Sequence, residues 1–417
     1  MIRKTWAVGS GAIVLVAVAI QLLLVRPAFA QLSPGPNAEE VRKLTRVHFG
    51  NLFLRPTVTL DNFGVDTNVF NSSTNPQSDF TGTLSPRLES WTLFGRRAVF
   101  SADARAGLVY YKTFSTERSL DPGIHAQAQY EFAHLTVFGV GGYLSTHQRS
   151  NYEIDGRVRH LGKEVGVGAS LMFSPKLSLD FTARTTRSEY AKEEVAFGTN
   201  LSQSLDSGDR VLSVALLDRL TTKTTFVLRA ETHRSRFDTA TAKNGDTVRI
   251  TPGLELSPRA LISGAADVGL AFFTPVNAAV RSYSGLVAKV ALSSTVFDGT
   301  RLGVTWDRDL SYSFESTTPY YLIKGVGGSV RRQLIRDADV ILSAQRTAYD
   351  YQSLIGVTTA DRQDVTTTWS IDLGYRVNRD MRVGFAVSKW QRTSTTVTAR
   401  DYSGLRAGVT VTYVQSQ

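Results

Sequence analysis

The stretch 405-LRAGVTVTY-413, close to the C-terminus, alternates apolar and polar residues without interruption. Successive side chains of a β-strand point to opposite faces, so all the apolar bulk of this stretch falls on one face. The apolar face holds Leu405, Ala407, Val409, Val411 and Tyr413, and the polar face holds Arg406, Gly408, Thr410 and Thr412. The stretch therefore predicts a strand that separates a nonpolar environment from an aqueous one.

The same two-residue period recurs from residue 51 to the C-terminus and is interrupted by turn residues every 37 to 46 residues. The turn centres are Gly95, His134, Pro175, Thr221, Pro258, Asp298, Arg336 and Asn378. One long hairpin per period, with short and long connections in alternation, is typical of transmembrane β-barrels. We predict an all-β fold, an antiparallel up-and-down transmembrane β-barrel over residues 51–417, with about 18 strands and a range of roughly 16 to 20.

The first thirty residues have the features of a signal peptide. Arg3 and Lys4 precede a long apolar stretch, and an AFA motif at 28–30 supplies the small residues that signal peptidase reads. We predict that residues 1–30 are removed. Because the apolar stretch is long and Arg26 lies close to the cleavage site, an uncleaved anchor is the alternative.

Residues 31–50 are predicted to be a periplasmic lead-in to the barrel. The breaker cluster at 33–36 is followed by Asn37, a residue that commonly caps helices, with Glu39 and Glu40 directly after it. We predict a short helix that begins after Asn37 and ends near Val47.

The composition excludes several classes of protein. The chain has no cysteine, which removes disulfides, thiolate metal sites and a lipidated N-terminal cysteine. Loss of residues 1–30 would lower the formal charge from +10 to 10 − 3 = +7, because three basic residues and no acidic residue lie in that segment. The remaining basic residues are dispersed along the strands, which argues against nucleic-acid binding and leaves anionic solutes or anionic outer-membrane lipid and glycolipid as partners.

The location and orientation follow from the predicted strands. After residue 30 no stretch has the roughly 20 apolar residues of a membrane-spanning helix, so the mature chain can cross a membrane only as a closed barrel. We predict the bacterial outer membrane, with both termini and the short turns in the periplasm. The longer connections would face outward, and the longest are at 64–79 and 190–207.

Aromatic residues lie close to the proposed periplasmic turns and the C-terminus. Girdles of aromatic residues flank the apolar band of transmembrane barrels at both interfaces, so these residues are the predicted aromatic girdle. They are Phe94, Phe132, Phe173, Phe226, Phe297, Tyr375 and Tyr413.

Charged residues on the polar phase of the strands are the predicted pore lining. They are Arg105, Arg184, Arg229, Arg301, Arg376, Arg382, Arg406, Asp103, Asp180, Glu231, Asp267 and Asp372. Rings of such charges can set the selectivity of a channel for ions and solutes. The alternative role is structural, since opposite charges on neighbouring strands also pair and stabilise the wall.

No catalytic or metal centre is predicted, and no cofactor. Ser145 and His147 share one side of a strand, but no third partner of a hydrolytic triad is identifiable. The loop that begins at Asp61 contains several hard oxygen ligands that suit calcium, without the spacing of an EF-hand. Ordinary turn formation by Asn and Asp explains the same residues.

The segment 54–97 resembles the opening of the outer-membrane β-barrel porins found beside exopolysaccharide biosynthesis machinery. The residues that carry the resemblance are Pro56, Asp66-Thr67-Asn68-Val69-Phe70, Ser78-Asp79, Leu84, Pro86 and Tyr110-Tyr111. The resemblance covers about a tenth of the chain. It implies an outer-membrane barrel without an assigned cargo, for which passage of polysaccharide has been proposed. Many bacterial barrels end on an aromatic residue that the barrel-assembly machinery reads, whereas here four residues follow Tyr413.

Taken together, these features predict a porin-like channel for polar solutes, with exopolysaccharide export as its narrower form. The alternative is a barrel plugged by its own loops, which binds a surface glycan or an export partner without an open pore. In that case the loops at 64–79 and 190–207 would carry the function.

Overall fold

The computed structural model describes residues 32–45, 47–151, 153–297, 299–357 and 361–414. The predicted signal peptide lies outside the described residues. Within them, eighteen long antiparallel strands form one barrel, which confirms the predicted fold and strand number. The strands are β1 Leu52–Asp66, β2 Asp79–Phe94, β3 Ala98–Tyr111, β4 Ser119–Glu131, β5 Leu135–Gln148, β6 Val158–Met172, β7 Leu177–Tyr190, β8 Ser207–Thr221, β9 Thr224–Phe237, β10 Gly245–Leu256, β11 Ile262–Pro275, β12 Tyr283–Phe297, β13 Thr300–Tyr312, β14 Tyr320–Ile335, β15 Ala338–Gln352, β16 Gln363–Arg376, β17 Met381–Ser394 and β18 Tyr402–Val414.

Each strand pairs with the next along the chain, and the barrel closes where β18 pairs with β1. This seam runs from Thr57 opposite Val414 to Asp66 opposite Arg406. Closure satisfies the backbone groups that an open sheet would leave unpaired at its edges, which is the condition for crossing a membrane with strands.

A β-bulge interrupts the seam. The register of β1 shifts between Leu60 and Phe63 against β18, and Asn62 has a positive φ of 54°. Next to the bulge, the backbones of β1 and β18 approach so closely that a Cβ on Gly64 would lie 2.0 Å from the carbonyl oxygen of Ala407. A bulge bends its strand, and the glycine lets the two backbones meet at that bend.

Short and long connections alternate along the barrel and lie at opposite ends. The short-turn end holds tight turns such as 95–97 and 222–223, and the long-loop end holds loops such as 67–78 and 191–206. The two longest predicted loops are each slightly shorter in the structure than expected, because β1 continues to Asp66 and β7 to Tyr190. The first and last barrel strands, β1 and β18, have their outer ends at the short-turn end.

The two faces of the wall have different chemistry. Residues that pair across neighbouring strands point to the same side, so the register assigns each strand residue to one face. One face carries exposed apolar side chains such as Leu84, Leu108 and Ile124, and it is the exterior. The other face, which includes Trp91 and Val99, is in contact with the N-terminal segment and is the interior.

Two short helices accompany the strands. Helix α1, Ala38–Leu44, begins after Asn37, whose side chain accepts hydrogen bonds from the backbone N–H groups of Glu39 and Glu40. It ends three residues before the position expected from the sequence. Helix α2, Leu201–Leu205, lies in the loop between β7 and β8. Among the described residues, no helix has the length and apolar character needed to cross a membrane.

Candidate channel: the barrel interior and its loop cover

The strand register places all twelve predicted pore-lining charges on the interior face. Most of them are engaged with an opposite charge. The ion pairs are Arg87–Asp103 at 2.6 Å, Arg184–Glu164 at 3.6 Å, Arg229–Asp267 at 4.0 Å, Arg382–Asp339 at 2.6 Å and Arg406–Asp66 at 2.5 Å. Arg382 also pairs with Asp372. Pairing of this kind is the structural role that the sequence left open as the alternative.

Three arginines of the predicted pore lining have no acidic partner among the described residues. Arg105 is exposed on the interior face of β3, and Arg376 is exposed near the short-turn end of β16. Arg301 donates hydrogen bonds to the hydroxyls of Ser263 and Ser293, at 3.0 and 2.7 Å, which leaves its charge uncompensated. The net charge available to a solute in the interior is therefore concentrated at a few positions.

Helix α1 lies inside the barrel at the short-turn end. Its buried residues Ala38 and Val41 pack against interior residues of the wall, including Phe53 and Trp91. The preceding residues also hold the wall, since Gly35 donates its backbone N–H to the side-chain oxygen of Gln129 at 2.7 Å. The N-terminal segment therefore fills part of the interior, a placement that the sequence did not predict.

The long-loop end is covered by loops that cross the opening. Loop 149–157 joins β5 and β6, yet its Asp155 forms an ion pair of 2.6 Å with Arg392 on the interior face of β17. Loop 67–78 joins the same contact, because Asn71 donates to the carbonyl oxygen of Asp155 and accepts from the indole N–H of Trp390. We call the described parts of loops 67–78, 149–157, 191–206, 238–244, 313–319, 353–362 and 395–401 the loop cover.

Loop 149–157 makes a second contact, with the loop between β13 and β14. Glu153 accepts hydrogen bonds from the hydroxyl of Ser313 at 2.6 Å and from the backbone N–H of Phe314 at 2.9 Å. Strands β5 and β13 lie eight strands apart in a ring of eighteen. A loop that starts at β5 and contacts the loop after β13 must therefore cross the opening of the barrel.

The loop cover has an apolar core of its own. Ile154 of loop 149–157 packs with Leu201 and Leu205 of α2, with Phe237 and with Phe314. Ile154, Leu201 and Phe314 are almost completely buried. Burial of apolar side chains of this size stabilises a structure by about 1.5 to 3 kcal/mol each, so the loop cover is a folded layer.

Buried charges link the loops around this core. Arg362 and Arg400 both pair with Glu315 at 2.8 Å, and Arg362 also pairs with Asp364 at 2.6 Å. Lys243 is buried and donates to the hydroxyl of Ser204 and to the carbonyl oxygen of Ser313. Each charge therefore ties together loops that are far apart along the chain.

Residues 47–415 match the protein family described as "Putative beta-barrel porin 2". The chain belongs to this family. Barrel and family together locate the porin in the outer membrane. No curated protein sequence matches it.

The porin is also similar in fold to solved structures at low identity. A BenF-like porin from Pseudomonas fluorescens Pf-5 is 11% identical, with 87% of this chain and 99% of that chain covered and a TM-score of 0.50. OccAB3 from Acinetobacter baumannii is 10% identical over 87% and 99% of the two chains, with a TM-score of 0.49. OpdO from Pseudomonas aeruginosa is 12% identical over 87% and 97%, with a TM-score of 0.48. At such identities the likeness concerns the fold alone.

Burial shifts the pKa values of titratable groups in the porin's loop cover. Desolvation raises the pKa of Glu153 to about 7, against the hydrogen bonds from Ser313 and Phe314, which lower it. Desolvation lowers the pKa of Lys243 to about 8. For Glu315, burial would raise the pKa, but the charges of Arg362 and Arg400 and the hydroxyl of Thr318 hold it below the usual value. The loop cover therefore contains one carboxyl group that titrates near neutral pH.

The other residues singled out in the sequence have clear positions. Phe94, Phe132, Phe173, Phe297, Tyr375 and Tyr413 are exposed near the short-turn end, and Phe226 is half-buried.

Ser145 and His147 point to the exterior of β5, opposite Leu161 and Arg159. In the loop proposed for calcium, Asp79 accepts backbone N–H bonds from its neighbour Phe80 and from Thr113 and Phe114 of the loop between β3 and β4, so its carboxylate is engaged in holding the two loops together. The described residues contain no cluster of side chains that could hold a metal ion.

Sequence reasoning missed the charges that hold the loop cover, above all Glu153, Asp155, Arg392 and Lys243. One signal was present in the sequence. Ile154 lies between two acidic residues and is the one aliphatic residue in the loop sequence 149-RSNYEIDGR-157. Such a residue at the tip of a long loop indicates that the tip is buried against something.

Proposed function

We propose that this porin is a channel for small polar solutes across the outer membrane, with the long-loop end on the cell exterior and both termini in the periplasm. The observation that carries the proposal is a polar, charged interior face along the wall, enclosed by an exterior face of apolar residues. Eighteen strands are enough to enclose an aqueous lumen. The aromatic residues at the short-turn end would then lie at the periplasmic interface of the membrane.

The uncompensated arginines would bias such a channel toward anions. Arg105, Arg301 and Arg376 have no acidic partner among the described residues, whereas the other interior arginines of the predicted set are paired. The fields of two paired opposite charges largely cancel a few ångströms away from the pair. The unpaired cations therefore dominate the electrostatic potential that acts on a solute in the interior.

Both ends of the interior are partly filled, so passage requires movement of the loop cover, of helix α1, or of both. Planar-bilayer recording of the purified full chain tests the proposal. We expect discrete conductance steps and a reversal potential that favours anions in a salt gradient. Protein that is shown to be folded by heat-modifiable electrophoresis, yet gives no steps, would rule out a channel.

The second candidate is a barrel whose loop cover stays closed and binds a surface glycan or an export partner. The buried charges of the loop cover favour it, as does a cavity of about 340 Å³ at its surface. The cavity is lined by residues 70–73, 154–158 and 194–197 and by Ala399. Removal of the loops 67–78 and 191–206, which the sequence predicted at 64–79 and 190–207, should then abolish glycan binding while the barrel stays folded.

Exopolysaccharide export is the narrower form of the channel proposal. Its support is the resemblance of the segment 54–97, together with a polar interior. A strain that lacks this porin should secrete less polymer, and unchanged secretion would leave only general solute passage.

We also propose that the barrel-assembly machinery reads the last strand, in which Tyr413 is the terminal exposed aromatic residue.

A further inference from the structure

Four basic residues form a cluster on the exterior face of β13 to β17, toward the long-loop end. Arg308 of β13 lies directly opposite Lys324 of β14 in the strand register. Lys324 lies opposite Ala348 of β15, and Arg346 is the next residue of β15 on the same face. Lys389 of β17 is on this face two strands away. We call these four residues the exterior cation cluster.

The protein itself supplies little negative charge to this cluster. Lys324 forms an ion pair with Asp350, and for Arg308, Arg346 and Lys389 the described residues provide no acidic partner. The Nε atom of Arg308 is buried and makes no hydrogen bond. Like charges that lie directly opposite each other on neighbouring strands, about 5 Å apart, destabilise a sheet. Asp350 compensates the charge of Lys324, whereas the charge of Arg308 beside it stays uncompensated unless a further anion binds.

Most other cations on the exterior face have an acidic partner. On β6 to β9 they pair with acidic residues, as in Lys163–Glu189 at 2.9 Å and Arg236–Asp246 at 2.8 Å. The exception is the single residue Arg210, which lies opposite Arg234 and has no acidic partner among the described residues. The exterior positions of β1 to β5 carry no lysine or arginine within the strands. An unpaired group of cations is thus a local feature of β13 to β17 and not a general property of the rim.

The cluster lies at the edge of the apolar exterior. Toward the short-turn end, the same face of β13 continues with Trp306, Val304 and Leu302, and that of β14 continues with Val326 and Val330. In a membrane these residues would contact acyl chains. Cations directly above them lie at the depth of lipid headgroups, where Trp306 is also a suitable interface residue.

We propose that the exterior cation cluster binds the phosphate groups of an anionic glycolipid in the outer leaflet. The guanidinium groups of Arg308 and Arg346 can each donate two parallel hydrogen bonds to a phosphate, and Lys324 and Lys389 add point charges. Bound phosphate would compensate the charge of Arg308, which the protein itself leaves without an acidic partner among the described residues. The inference rests on the proposed function only for the orientation, which puts the long-loop end in the glycolipid leaflet.

The test is a titration of the detergent-purified full chain with bis-phosphorylated lipid A, followed by native mass spectrometry. We expect the double variant Arg308→Gln/Arg346→Gln to bind about 30-fold more weakly than the wild type, since each cation near an anionic lipid surface contributes about 1 kcal/mol. The matched control is Arg332→Gln, which changes an exterior cation of β14 at the short-turn end. It should bind like the wild type.

Two further arms identify the ligand. Dephosphorylated lipid A should bind the wild type and the double variant equally weakly, and inorganic phosphate should not saturate the cluster. Equal affinity of wild type and double variant for bis-phosphorylated lipid A would overturn the proposal. So would binding of inorganic phosphate with the affinity of the lipid, which would mean an adventitious ion only.

Two measurements separate failure to bind from failure to fold or to conduct. In lipid-free detergent the double variant should melt at the same temperature as the wild type or higher, because the substitution removes like-charge repulsion. The cluster is on the exterior, so channel conductance should not change in the double variant. Loss of lipid binding with intact conductance supports the glycolipid site, whereas absence of conductance in both proteins concerns only the channel proposal.

Discussion

Asp155 and Arg392 form an ion pair of 2.6 Å in which both side chains are buried, and this pair joins the loop after β5 to the interior face of β17. Arg392 also pairs with Asp364 at 2.6 Å. One arginine of the wall therefore holds a loop from a distant part of the barrel across the opening. The closed state of the loop cover therefore includes a contact that no single loop could make.

Substitution Asp155→Asn should loosen the loop cover without unfolding the barrel. Loss of one member of a buried ion pair costs about 3 to 5 kcal/mol, and here Asp364 remains as a partner of Arg392, so we expect about 3 kcal/mol. Hydrogen exchange of residues 149–157 should speed up, and the channel should be open for a larger fraction of time. The control Glu193→Gln changes an exposed acidic residue of the loop cover and should do neither. Unchanged exchange in Asp155→Asn would contradict the role of the pair.

The loop cover should be closed most firmly at low pH. The pKa of Glu153 is raised from 4.5 to about 7, so between these values the closed cover holds a proton that a released loop would lose. The resulting stabilisation is complete below about pH 4.5, falls as the pH rises and is gone above about pH 7. Lys243 has a pKa lowered from 10.5 to about 8, so its own contribution changes only above that window.

Open probability in planar bilayers should therefore rise from pH 5 to pH 7.5, and hydrogen exchange in residues 149–157, corrected for intrinsic rates, should follow it. The variant Glu153→Gln cannot ionise and should show a much flatter response. A wild-type response that survives in this variant would assign the pH dependence to another group.

Helix α1 should obstruct the short-turn end of the interior. Substitution Val41→Asp places a charge in the apolar contact with Phe53 and Trp91, and an unpaired buried charge is costly enough to release the helix. We expect larger single-channel conductance and faster proteolysis of residues 32–45. Arg42→Ala, on the exposed side of the same helix, is the control. Equal conductance of wild type and Val41→Asp would mean that the helix does not limit passage.

The unpaired interior arginines should set ion preference. Arg105→Gln and Arg301→Gln each remove one uncompensated charge, which is worth about 1 kcal/mol at 4 Å in water, or up to about fivefold in the ratio of anion to cation permeability. Reversal potentials in a salt gradient measure this ratio. The exterior variant Arg332→Gln should leave it unchanged, and an equal shift in that variant would show a general effect of charge and not one of the interior.

The seam between β1 and β18 should be intolerant of a side chain at Gly64. An added Cβ would lie 2.0 Å from the carbonyl oxygen of Ala407, so Gly64→Ala forces the two backbones apart at a cost of about 3 kcal/mol. We expect a lower melting temperature and slower barrel assembly, both seen by heat-modifiable electrophoresis. At Gly141 an added Cβ meets nothing within 4 Å, so Gly141→Ala is a matched control. Equal melting temperatures would show that the seam can relax.

Much of the barrel wall could be predicted from the sequence, because the alternation of apolar and polar residues in a strand is a local pattern. A run such as 405–413 shows which residues face lipid, and turn residues such as Asn378 mark where each hairpin reverses. The interior position of charges such as Arg229 and Arg382 follows from the same alternation. Their pairing was foreseeable only as an alternative, since the register of neighbouring strands decides which acidic residue each arginine meets.

The sequence by itself determined a barrel with an apolar exterior and a polar interior, since a two-residue period requires no knowledge of distant contacts. Only the tertiary structure decided what fills that interior. Glu153 and Ser313 are 160 residues apart along the chain, and Asp155 and Arg392 are 237 apart. No local sequence pattern predicts such contacts. They form because closure of the barrel brings loops from opposite sides together over one opening.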